Sequence, residues 1–127
     1  MKRNKIAAGV LAASALGAAL AGVSAPAAHA DGGVKTTHGQ GSAWFQSYGD
    51  KLWVNDWAAD HHGVHAWIWN SKGTSIVRDL YNGNGLHGKA AFADYNLPEH
   101  HTYKLEVCRV DGKYDVGFDC KKATIHS

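Results

Sequence analysis

The 127-residue sequence has two cysteines, two prolines and one methionine, and after its first 30 residues it has no long apolar run. Each shortage excludes something. Two cysteines cannot crosslink a disulfide-dense mini-scaffold, and Cys108 and Cys120 lack the Cys-x-x-Cys spacing of a redox pair. Two prolines leave no proline-rich linker. Excess charge is missing as well. Thirteen lysines and arginines face eleven aspartates and glutamates, a formal charge of +2, and three of the basic residues lie in the first five positions. Residues 31–127 therefore carry ten basic against eleven acidic side chains. That balance gives no electrostatic footprint for a phosphate backbone, so no nucleic-acid partner is expected.

What is present begins with an export signature. Lys2, Arg3 and Lys5 form a basic start, Ile6 to Val23 an apolar stretch, and Ala28-His29-Ala30 a small-residue cleavage site. Residues 1–30 thus read as a secretory signal peptide, with Asp31 the first mature residue. The basic start has no twin arginine, and no cysteine near the cleavage site could take a lipid. The expected product is secreted, extracellular and free of the membrane after cleavage. An oxidising exterior then favours a Cys108–Cys120 disulfide, whose loop of roughly 13 residues contributes about 3 kcal/mol in the chain-entropy account.

Residues 31–41 are polar and glycine-rich and read as a flexible N-terminal arm. Over 42–127, runs rich in Val, Ile, Trp, Tyr and Phe alternate with Gly, Asn and Asp every 8 to 14 residues. This rhythm predicts seven strands: Ala43–Tyr48, Lys51–Trp57, Val64–Asn70, Ser75–Tyr81, Lys89–Tyr95, Thr102–Val110 and Phe118–Ile125. The cysteines constrain the last turn. A tight Asp111-Gly112 turn would set Cys108 opposite Asp115, whereas a hairpin centred on Tyr114 sets it opposite Cys120. A stapled hairpin with a seven-residue tip, Asp111 to Gly117, follows.

Leu97-Pro98, followed by the alternating run Tyr103-Lys104-Leu105-Glu106-Val107-Cys108, resembles the corner of fibronectin type III and immunoglobulin-like sandwiches. In that corner a leucine precedes by six residues a tyrosine whose ring is buried and whose hydroxyl bonds nearby backbone. The resemblance implies an antiparallel, seven-stranded immunoglobulin-like β-sandwich. Two features depart from it: Pro98 follows the leucine directly, and the disulfide joins neighbouring strands. With its Tyr48-Gly49-Asp50 and Leu52-Trp53-Val54 opening, the chain also resembles small secreted single-domain proteins of high-GC Gram-positive bacteria that have no assigned activity.

Strands running alternately up and down gather Asp60 to Gly63, Asn82 to Gly88 and Asp111 to Gly117 at one end of such a sandwich. Lys113, Tyr114 and Asp115 are the binding candidates there. Eight histidines fall in residues 31–127, densest in Asp60-His61-His62-Gly63-Val64-His65. A metal site would draw on His61, His62 and His87, while exposed histidines would only add positive charge below about pH 6. Five tryptophans give a sharper pattern. Trp53 and Trp57 alternate with Leu52 and Val54, and Trp67 and Trp69 with Val64, Ala66 and Ile68, so two strands are apolar on both faces. Either both faces are covered, in a tryptophan-rich core, or one is open to a partner. Trp67 and Trp69 are the expected open members, with His65 beside them.

No motif supplies a nucleophile, a tuned acid and base pair, or a cofactor cradle. Asp56 with Asp60, and Asp115 with Asp119, are the carboxylate pairs a hydrolase would draw on, but four residues along a strand set each pair roughly 13 Å apart, the spacing of solvated turn charges. The reading is a noncatalytic, cofactor-free secreted binding protein for polysaccharide, cell envelope or an extracellular protein surface. The alternatives are an inhibitor or antagonist acting through the Cys108–Cys120 hairpin loop, and a metal-binding protein.

Overall fold

A computed structural model describes residues 31–127, so the expected signal peptide lies outside the described residues. Eight strands form: β1 (Gly32–Lys35), β2 (Gly41–Gln46), β3 (Lys51–Asp56), β4 (Gly63–Asn70), β5 (Ile76–Asn82), β6 (Ala91–Asp94), β7 (Thr102–Val110) and β8 (Phe118–His126). They make two four-stranded antiparallel sheets, β1-β2-β3-β6 and β5-β4-β7-β8, with no helix among the described residues.

Alternation sorts the side chains. From the first sheet Ala43, Phe45, Leu52 and Val54 point into the core, and from the second Val64, Ala66, Ile68, Leu105, Val107 and Ile125 meet them. Their neighbours along each strand point outward, so every tryptophan on a strand lies on an outer face. The sheets are joined at their margins by polar contacts. Asn82, 1% exposed, donates to the Val54 carbonyl at 2.8 Å, the Tyr95 hydroxyl donates to the Asp79 carbonyl at 2.9 Å, and the Ser47 hydroxyl donates to the His126 carbonyl.

The count of seven strands needs correction to eight. The added strand, β1, lies in the segment read as a flexible arm, and it pairs with β2 from Gly32↔Phe45 to Lys35↔Ser42. Glycine reads as loop in a sequence, yet here it allows close approach. A Cβ on Gly33 would stand 2.7 Å from the Trp44 ring, and one on Gly32 would stand 2.8 Å from Ile125 Cγ2.

The last hairpin is centred on Tyr114, as the cysteine arithmetic required. Pairing runs from Thr102↔His126 to Val107↔Lys121, shifts by one residue, and resumes at Arg109↔Phe118. The Cys108–Cys120 disulfide sits at the shift. Leu97 and Tyr103 are both buried at the β6–β7 corner. Buried Asp50 holds that corner, accepting the Leu97 amide at 2.9 Å through Oδ2 and the Tyr95 amide at 2.8 Å through its carbonyl. Burial pushes the Asp50 carboxyl above its ordinary range, against the pull of the Leu97 amide.

Candidate functional site

The outer face of the β5-β4-β7-β8 sheet carries three side-chain rows set by register. Tyr81, His65 and Cys108 form the first, Asp79, Trp67, Glu106 and Lys122 the second, and Ile76, Trp69, Lys104 and Thr124 the third. A bulge between Ile68 and Trp69 brings Ile76 opposite Trp69. The two indoles are fixed by neighbours. Trp67 stacks on His65 with ring centroids 4.1 Å apart and planes 10° from parallel, and Trp69 Nε1 donates to Glu106 Oε1 at 2.9 Å. Lys122 Nζ stands 5.6 Å from the Trp69 ring centroid.

Over these rows lies a groove of about 310 Å³, lined by Trp67, Trp69, Ile76, Glu106, Asp115 and Val116. Its floor is two indoles and its wall is the stapled β7–β8 loop. Asp115 holds that loop's shape, accepting the Asp111 amide at 3.0 Å and its neighbour's amide at 2.9 Å. Flat apolar rings with carboxylates at their edge can stack on the C–H face of a sugar and accept its hydroxyls.

The binding candidates divide. Trp67, Trp69 and Asp115 share the groove, whereas His65, expected beside them as an open member, is on the same face but only 2% exposed. Its Nε2 lies 2.7 Å from Asp79 Oδ2, and it supports Trp67 from beneath. Lys113 and Tyr114 project from the tip without lining the groove, Tyr114 being 93% exposed.

The loop end gathers as the alternating strands required. Asp60 accepts the His62 amide at 3.0 Å and Arg109 at 2.8 Å, and Arg109 also bridges to Asp119 at 2.8 Å. His62 Nδ1 lies 2.5 Å from Asp111. Burial alone would raise the Asp60 carboxyl, but the His62 amide and the Arg109 guanidinium outweigh it and hold it below its ordinary range. Hydrogen bonding to Asp119 in turn raises Arg109.

His61, His62 and His87 line a second cleft of about 540 Å³ between the β3–β4 and β5–β6 loops. They share it without converging. Among the described residues, the group of three ligand-type atoms within 4.8 Å of one another is Glu106 with Cys108 and Cys120, whose sulfurs are tied in the disulfide. Asp56 also lines this cleft, 5% exposed, with Oδ1 on the Ala58 amide and Oδ2 unbonded. Its carboxyl is raised by burial.

The outer apolar face expected around Trp53 is part of a longer aromatic row, whose members Trp44 and Phe92 the sequence did not single out. On the outer face of the β1-β2-β3-β6 sheet, register aligns Gly33, Trp44, Trp53 and Phe92. Trp44 is 47% and Phe92 50% exposed, and Trp53 and Phe92 have ring centroids 5.1 Å apart. Trp57, 53% exposed, donates to Ser42 on the same face. The sequence signal was Trp44 and Phe92 in alternation with Ala43, Phe45, Ala91 and Ala93, where small or singly placed apolar residues hide the face.

Comparison with protein-family models, with curated proteins and with solved structures returns no match to this chain.

Proposed function

We propose that this chain is a secreted, noncatalytic binding protein whose groove over Trp67 and Trp69 takes a sugar ring of an extracellular polysaccharide. The observation that carries this reading is the groove itself: two half-buried indoles of fixed orientation, walled by a stapled loop and edged by Glu106 and Asp115. Preorganised rings lose little entropy on binding, and acceptors beside them orient a polyol. The fold that presents them is of immunoglobulin-like type. Support for this comes from the order β5-β4-β7-β8 facing β2-β3-β6, which parallels C′-C-F-G facing A-B-E, and from Tyr103 buried at the start of the F-equivalent strand. Strand β1 is then an addition to that plan.

The test is titration of intrinsic tryptophan fluorescence with soluble polysaccharides and peptidoglycan fragments. A saturable shift, lost in Trp67→Ala and Trp69→Ala variants that still melt cooperatively, is the expected result. A flat response to every glycan overturns the reading.

A second reading rests on the loop tip, where Tyr114 and Val116 are 93% and 88% exposed on a stapled hairpin. Such a tip suits insertion into the cleft of a secreted enzyme. Dose-dependent inhibition of extracellular hydrolases, lost in Lys113→Ala with Tyr114→Ala, would mark an inhibitor.

A further inference from the structure

Beside the groove lies a cleft of about 350 Å³ lined by Lys72, Gly73, Lys104, Lys122, Ala123 and Thr124. Three lysines line it and no acidic residue does. Groove and cleft are neighbours by register, because Lys104 lies directly across from Trp69 and Lys122 approaches the Trp69 ring. Among the described residues, none of the three lysines makes an ion pair, whereas Arg109 at the loop end holds two carboxylates. Glu106 stands across from Lys122 in the register but takes the Trp69 indole rather than an ion pair, so three lysines against one carboxylate leave a net positive cluster that attracts an anion.

We propose that the ligand is an anionic polysaccharide, its sugar ring over Trp67 and Trp69 and its carboxylate or phosphate among Lys72, Lys104 and Lys122. This rests on the groove reading above and adds the charge class of the ligand. Charge complementarity sets direction as well: the lysines border Trp69, while Asp115 stands on the wall contributed by the β7–β8 loop. An acidic sugar placed with its charge toward Asp115 is repelled; turned the other way, it is neutralised. A single-stranded nucleic acid also offers flat rings and phosphates, but its backbone needs a continuous basic track. Here the basic cluster ends at a groove carrying Glu106 and Asp115.

The experiment titrates the purified, oxidised protein with four polymers: polygalacturonate, glycerol-phosphate teichoic acid, a neutral β-glucan and an oligo-dT strand. Tryptophan fluorescence and co-sedimentation are the readouts. At low salt, one of the first two is expected to bind at least about tenfold tighter than the neutral glucan, an advantage that shrinks as the Debye length shortens. Preference for the first identifies a carboxylate, preference for the second a phosphate. A Lys72→Gln, Lys104→Gln, Lys122→Gln variant brings the acidic polymer down to the affinity of the neutral one. Equal binding of acidic and neutral polymers overturns the charge assignment and leaves the groove reading standing. Binding of no polysaccharide overturns both, and oligo-dT binding as tight as the best glycan overturns the polysaccharide assignment.

Discussion

Each sheet turns a row of aromatic rings outward, and the two rows are built differently. On the first sheet, Trp44, Trp53 and Phe92 lie side by side across three strands, with Trp44 and Phe92 about half exposed. Trp44 rests on Gly33. On the second, Trp67 is stacked on His65, Trp69 is bonded to Glu106, and Asp115 and Val116 stand over both. The first row is a flat apolar strip and the second a groove. Exposure alone therefore does not make the better site, because a ring held from below and bounded at the side is already in its binding geometry.

The largest test of this contrast is removal of the staple. Replacing Cys108 and Cys120 together by serine should cost about 3 kcal/mol in urea unfolding, from the loop length alone. Since the stapled loop walls only the second face, glycan response at the groove should fall, while iodide quenching attributable to Trp44 and Trp57 stays as it was. Full groove affinity in the folded, uncrosslinked variant would remove the loop from the site.

The next contrast is between single rings. Trp67→Ala deletes a half-buried indole from a stack and should cost about 2 kcal/mol, whereas Trp44→Ala on the open row should cost under about 1 kcal/mol. Equal costs would erase the distinction between strip and groove. A smaller and more direct reading comes from Trp→Phe replacements taken one at a time. Trp44→Phe and Trp57→Phe should each remove a red-shifted, iodide-quenched component, and Trp69→Phe a protected one.

Much of this arrangement was readable from residue order. Alternation in Val64-His65-Ala66-Trp67-Ile68-Trp69 placed the tryptophans on one face, and Cys108 with Cys120 centred the hairpin on Tyr114. What escaped depended on partners distant in sequence. Gly32 and Gly33 carry no side chain to show a period, and their strand is defined by Trp44 and Ile125. His65 is a polar side chain in an outward position, buried only because Trp67 and Tyr81 close around it. Trp44 and Phe92 become one row only through Trp53, which pairs with both. The lysine cleft joins the β4–β5 turn to β7 and β8 across a register that no local pattern displays.

The smallest effect sharpens the same lesson at the loop end, where Asp56 and Asp60 differ in what surrounds them. Asp60 is held low by the His62 amide and by Arg109, while Asp56 is raised by burial with an oxygen left unbonded. A carboxyl whose folded value is depressed contributes stability above its unfolded value, about 3.9, and loses it as pH falls through the folded value. One whose folded value is raised contributes in acid and loses that contribution as pH rises through the folded value. Asp60→Asn should therefore lower the melting temperature at pH 7, with the deficit narrowing toward pH 3. Asp56→Asn keeps an acceptor for the Ala58 amide and removes the charge, so it should raise the melting temperature at pH 7 and lose that advantage toward pH 3. A lower melting temperature for Asp56→Asn at pH 7 would mean that the ionised carboxylate is compensated in the fold, and the contrast between the two aspartates would fail.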